Sequence, residues 1–153
     1  MSIVLEPIGV VSGGRELPLD DAWGKSRAQL VLDASRFTPA ALAGLSDFSH
    51  VEVIYYFHKV GDDEVTTGAR HPRGRTDWPL VGIFAQRGKN RPNRIGVSTC
   101  RILSVQGLSV EVEGLDAIAG TPILDLKPVL AGFQPRGEFH EPPWATELMK
   151  DYW

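Results

Sequence analysis

The sequence predicts a single mainly-β domain, a small barrel or a sandwich, with two short helices. Three observations point there. About six to eight short runs rich in β-branched and aromatic residues punctuate the chain. Its 16 glycines and 11 prolines lie scattered between those runs, and its 153 residues suit one core. Ile8–Val11 and Ala28–Asp33 read as the first strands. Thr38 as N-cap, with Pro39 at the first helical position, predicts a short helix over 39–45. Val51–Phe57 is dense in β-branched and aromatic residues and reads as a strand buried on both faces. Gly61–Trp78 is polar and reads as a long loop, of a length that is usually functional or disordered. Val81–Gln86, Gly96–Val105 and Leu108–Glu113 are further strands, the last setting Leu108, Val110 and Val112 on one face. Gln106-Gly107 signals a tight turn between the last two. Ile123–Val129 holds Pro128, which suits a strand end or edge. Pro142-Pro143 then opens a helical stretch pairing Trp144 with Leu148 and Met149 with Trp153. The expected organisation is a β domain over 1–140 and a helical extension over 141–153.

Composition narrows the function. Hydrophobic residues make up 42% and charged residues 23%, and no apolar run approaches the roughly 20 residues of a membrane span. The start, Met1-Ser2-Ile3-Val4-Leu5-Glu6, has no basic region and no long apolar run, so no signal peptide is expected. The single Cys100 excludes an intramolecular disulfide and a Cys-clustered metal site, and it lies in an apolar strand as a buried, inert thiol. A reducing cytosol, and so a cytoplasmic location, is the expected setting. His50, His58, His71 and His140 are far apart, and no metal site is expected. Between Arg70 and Arg94 seven cations face one acid, Asp77; that segment carries +6 and the remainder −9, against a formal total of −3. An anionic partner suits the central segment, whereas indiscriminate nucleic-acid binding by the whole chain does not.

Familiar cofactor motifs fail. Gly24-Lys25-Ser26 has the tail of a phosphate-binding P-loop, but Leu19 stands where the motif needs glycine. No G-x-G-x-x-G follows a strand, and Gly96-Val97-Ser98-Thr99-Cys100 lacks the closing glycine of a nucleophile elbow. Two constellations remain. Phe84-Ala85-Gln86-Arg87-Gly88-Lys89-Asn90-Arg91-Pro92-Asn93-Arg94-Ile95-Gly96 is a hairpin that concentrates guanidiniums and amides, suited to phosphates or a carboxylate. In Ala119-Gly120-Thr121-Pro122-Ile123-Leu124-Asp125-Leu126-Lys127-Pro128, Asp125 and Lys127 share a strand face, as a structural ion pair or as working groups.

At these two segments the sequence resembles the TsaA-like family, the TrmO-type tRNA methyltransferases. The family pattern is F-A-T-R, a short gap, R-P-N-P-I-G-x-S, and then D-G-T-P-x-x-D-I-K-P. Supporting matches are Ile8-Gly9-Val10 and Phe48-Ser49-His50 before the aromatic strand that ends near His58. Gln86 replaces the family threonine, Arg94 the second proline and Ala119 the acid before Gly-Thr-Pro. Bacterial members often carry a further C-terminal domain beyond the length seen here.

The resemblance implies a small β-barrel that binds S-adenosylmethionine outside the Rossmann class, usually as a homodimer, and N6-methylates the threonylcarbamoyl-modified adenosine at tRNA position 37. By position it places cofactor contacts on His58, Lys59, Arg87, Val97, Ala119, Gly120, Thr121 and Pro122, and loosely on Asp20, Asp21 and Ala22. Lys89, Arg91, Asn93 and Arg94 are candidates for the nucleic-acid backbone. Methyl transfer from a sulfonium is a direct displacement needing no metal and no nucleophilic side chain. An acceptor for the amine proton would help, and Asp125, oriented by Lys127, is the candidate. Trp23, Trp78 and Tyr56 are candidates for stacking on adenine, against core packing. Two other readings stand beside this one: a methyltransferase acting on a small molecule or protein, and a non-catalytic nucleic-acid-binding barrel. The apolar C-terminal stretch either covers the barrel or pairs with a second subunit.

Overall fold

The structure is a computed structural model that describes residues 1–153. Its strands are β1 (Gly9–Ser12), β2 (Arg27–Leu32), β3 (His50–Tyr56), β4 (Ala69–Arg70), β5 (Val81–Gly82), β6 (Ile95–Gln106), β7 (Ser109–Glu113) and β8 (Pro122–Pro128). Six of them close into an antiparallel barrel in the order β1-β2-β7-β6-β3-β8, while β4 and β5 form a separate ribbon. Closure, rather than a sandwich, leaves the barrel itself without a sheet edge. One helix, α1 (Pro143–Met149), follows. No helix is long and apolar enough to cross a membrane.

Period-two alternation builds the interior. β2 turns Ala28, Leu30 and Leu32 inward, β3 turns Val51, Val53 and Tyr55, and β7 turns Val110 and Val112. Leu30 faces Val11 across one pairing and Val110 across the other. Leu30, Val51, Val53, Val110, Val112 and Ile123 are wholly excluded from solvent. At about 1.5–3 kcal/mol per fully buried side chain of this kind, this layer dominates the barrel's stability.

Several sequence expectations need correction. β3 is buried on one face only: His50, Glu52, Ile54 and Tyr56 are half-buried, because a closed barrel has a single interior. The predicted helix over 39–45 is two 3-10 turns, Pro39–Leu42 and Leu45–Asp47, parted by Gly44 at φ 82°, and Thr38 makes no side-chain cap. The strand expected over 81–86 stops at Gly82 and turns into a 3-10 segment, Ile83–Ala85. Gln86 points inward there, and its Nε2 donates to Arg70 O and Val81 O, both at 3.0 Å. The tight turn falls on Gly107-Leu108, since Gln106 already pairs with Ser109. The long stretch before Trp78 is ordered by β4 and by short turns at Asp62–Glu64 and Pro72–Gly74.

Two features shape the functional end of the barrel. The β3–β8 register slips between Ile54↔Asp125 and Tyr55↔Ile123, a bulge that leaves Leu124 unopposed. Ile123 and Leu126 therefore pack on the core while Asp125 and Lys127 face solvent. The C-terminal extension folds back on its own chain. Ala22 N donates to Asp151 O at 2.9 Å and Trp23 N to Tyr152 O at 2.7 Å. Gly24 permits this approach, because a Cβ there would lie 2.6 Å from the Trp153 carbonyl carbon. Trp78 Nε1 donates to Glu147 Oε2 at 3.0 Å beneath the Arg75 guanidinium. The stretch thus covers its own barrel.

Candidate active site

Where β3 ends and β6 begins, the chain forms a cavity of about 640 Å³. Trp23, Phe57, Ala117, Ile118, Leu148 and Met149 contribute apolar wall, and Lys59, Arg70, Arg73, Arg87 and Lys89 contribute cations. The combination of apolar wall and few convergent polar groups is that of a small-molecule site.

Asp116 lines this cavity and organises its polar floor. Its Oδ1 accepts from Tyr55 OH at 3.0 Å and from Ser98 Oγ, and its Oδ2 accepts from Tyr152 OH. Tyr55 and Ser98 are buried barrel residues that fix Oδ1, whereas Tyr152 reaches Oδ2 from the extension. Position 96 must be glycine for this: a Cβ there would lie 2.5 Å from the Tyr55 ring. Burial, reinforced by the Asp116 charge, pushes the Tyr55 and Tyr152 hydroxyls well above the usual phenol range, so both stay protonated donors. The same two causes push the Cys100 thiol up to about 12, and it is inert at the barrel centre as expected. His58 is held below its ordinary value by desolvation and by the neighbouring Lys59 charge, so it enters the cavity as neutral imidazole.

The three arginines of the basic hairpin donate to neighbouring backbone. Arg87 Nη2 donates to Val97 O at 2.6 Å, and Arg91 Nη1 donates to Gln86 O at 2.7 Å. Arg94 Nη1 donates to Val60 O, its Nη2 pairs with Asp62 at 2.9 Å, and its guanidinium lies over the Tyr56 ring. Asn93 and Arg94 turn the chain at φ 63° and 50°. Arg91, Asn93 and Arg94 therefore lie outside the cavity; Arg87 and Lys89 line it.

Of the other residues singled out from sequence, His58, Lys59, Val97, Thr121 and Asp20 line the cavity. Gly120 stands beside His58 Nε2, while Ala119 and Pro122 are spent on backbone, Ala119 N donating to Arg15 O and Pro122 pairing with Val10. Asp21 and Ala22 brace the rim through Arg73 and Arg15. Asp125 and Lys127 stand outside it: the β8 bulge turns both outward, where they pair with each other at 3.4 Å, half exposed. Of the aromatics, Trp23 lines the cavity, whereas Trp78 and Tyr56 pack under arginines. Sequence reasoning missed Asp116, Ser98, Tyr55, Arg70 and Tyr152. The signal for the first was an acid set alone in the apolar run Leu115-Asp116-Ala117-Ile118, just before Gly120-Thr121-Pro122.

The family description "tRNA-methyltransferase O N-terminal domain" matches residues 15–134. The chain belongs to this family. It is 37% identical over 111 residues to a rat tRNA (adenine(37)-N6)-methyltransferase, covering 71% of this chain and 25% of that protein. It is 30% identical over 144 residues to a Pyrococcus abyssi protein described as a "probable S-adenosyl-L-methionine-binding protein", covering 89% and 73%. The solved structure of TrmO from Pseudomonas aeruginosa superposes with a TM-score of 0.73 at 25% identity, over 92% of this chain and 61% of that one. The TrmO-family barrel expected from the sequence is thus the observed fold. The chain spans about a quarter of the mammalian relatives it matches.

Proposed function

We propose that this TrmO-family domain is an S-adenosylmethionine-dependent methyltransferase that acts on the exocyclic amine of an adenine in tRNA. The observation that carries the reading is convergence. His58, Lys59, Arg87, Val97 and Thr121 come from four separate stretches of chain and line one cavity beside Asp116. The residues fit the cofactor: apolar and aromatic wall for an adenosine, and cations for a carboxylate. The finer substrate, threonylcarbamoyl-adenosine at position 37, belongs to the same proposal, as do a homodimeric state and a cytoplasmic location.

When bound, the cofactor supplies an electrophilic methyl group. Asp116 does the protein's part, in the role the sequence suggested for Asp125. Ser98 and Tyr55 hold its Oδ1 from the barrel, which leaves Oδ2 to take the amine N–H in place of the Tyr152 hydroxyl. The carboxylate orients the nitrogen lone pair and receives its proton. Trp23, Leu148 and Met149 exclude water. Lys89, on the exposed rim, suits a phosphate.

The test is transfer of labelled methyl from S-adenosylmethionine to unfractionated tRNA, with nucleosides resolved by chromatography. The expected product is an N6-methylated adenosine. Asp116→Asn should lower kcat by at least about a hundredfold, the scale of acid–base contributions. RNA affinity should fall with salt, by roughly 0.7–0.9 log units per phosphate contact per log unit of salt. Cofactor binding without labelled RNA would move the acceptor to a small molecule or protein. Absence of cofactor binding would leave a non-catalytic barrel.

A further inference from the structure

The cavity contains one polar group that the fold leaves unanswered. Arg70 Nε is the buried side-chain polar atom in the chain with no hydrogen-bond partner. No carboxylate lies within ion-pairing distance of its guanidinium, although Arg73 pairs with Asp21 and Arg94 with Asp62 nearby in sequence. Such a group is normally matched by something, protein or ligand.

The position of Arg70 is fixed from several sides. It ends β4, where it pairs with Val81 of β5, and its carbonyl accepts from Gln86 Nε2 at 3.0 Å. The guanidinium then fills the space above Gly88, where a Cβ would lie 2.6 Å from Nη2. Gly88 and Arg70 both line the cavity. Arg87, which gives one N–H to the Val97 carbonyl, is exposed, as are Lys59 and Lys89. Arg70 is therefore the half-buried, pre-positioned planar donor of the site, and a planar fork of N–H groups matches a carboxylate bidentately.

We propose that Arg70 is a binding residue for a ligand carboxylate, namely the α-carboxylate of the cofactor's amino-acid portion. The inference rests on the methyltransferase reading and deepens it, adding an anchor outside the residues to which the family resemblance assigned the cofactor.

The experiment is calorimetric titration of the full chain with S-adenosylmethionine and, separately, with its decarboxylated form. Wild type, Arg70→Met and Arg70→Lys are compared, with a thermal unfolding curve for each free protein. Wild type should prefer the carboxylated ligand at least tenfold. Arg70→Met should weaken that ligand about ten- to hundredfold, the scale of a charge-assisted hydrogen bond, and leave the decarboxylated one within about threefold. Arg70→Lys should fall between. The unfolding midpoint of the free Met variant should not drop, since the substitution removes an unpaired buried donor. Equal weakening of both ligands, or no weakening of either, overturns the assignment. So does unfolding of both free variants, which would make Arg70 structural. Failure of the wild type to bind either ligand would instead remove the methyltransferase reading itself.

Discussion

Tyr152→Phe removes one hydroxyl and should loosen the C-terminal extension without touching the barrel. The lost bond runs from a protonated phenol to the Asp116 carboxylate, on a side chain that is half-buried. Hydrogen bonds to charged groups contribute about 1.5–3 kcal/mol. The low end applies because water can reach Oδ2 once the extension lifts. The remaining anchors persist, namely Asp151 O and Tyr152 O to the 22–23 backbone and Glu147 to Trp78. The loss should therefore appear as easier local opening rather than global unfolding. About 1.5 kcal/mol corresponds to roughly tenfold faster exchange at the amides of Ala22, Trp23 and Tyr152. Hydrogen exchange followed by mass spectrometry on peptides covering 20–26 and 143–153 reads this directly, while peptides from β2 and β7 serve as the unmoved reference. Unchanged exchange in both peptides would refute the placement of Tyr152 on Asp116. Uniform acceleration across the barrel would show that the extension is part of the global folding unit.

Other expectations follow from single contacts. Gly96→Ala drives a methyl into the Tyr55 and Phe57 rings at 2.5 and 2.9 Å; overpacking of this kind should cost about 1–3 kcal/mol in urea unfolding. Asp125→Asn should change stability by less than about 1 kcal/mol and leave methyl transfer intact, as for an exposed ion pair; a large loss of turnover would return Asp125 to the mechanism. His58 takes up a proton more readily unfolded than folded, so its contribution to stability is complete above pH 6.5 and is lost as the pH falls through its lowered folded value. Denaturant titrations between pH 5 and 8 should show that slope, and His58→Gln should flatten it.

Most of the strand plan was legible because period-two alternation is a local signal: Val110 and Val112 declare the face of β7 without knowledge of any partner. The parts that misled depend on partners. β3 looks buried throughout in sequence because its outward Ile54 and Tyr56 are as apolar as its inward residues, and only barrel closure sorts them. Asp125 lies outside the cavity because a bulge, which residue spacing does not reveal, turns it to the solvent face, where it forms the ion pair with Lys127 that the sequence offered as one reading. The arginines of the 87–94 hairpin read as free ligands for an anion, yet each donates an N–H to a backbone carbonyl and Arg94 also pairs with Asp62, contacts that no local pattern reveals. The Asp116 cluster assembles Tyr55, Ser98 and Tyr152 from three distant segments, a contact set that a single sequence does not encode in any window.

The central claim is that the cavity beside Asp116 holds S-adenosylmethionine, and direct titration of the full chain with that cofactor tests it. Micromolar binding, lost when Arg87 is replaced by alanine, is the predicted result. No heat at millimolar cofactor would contradict the claim.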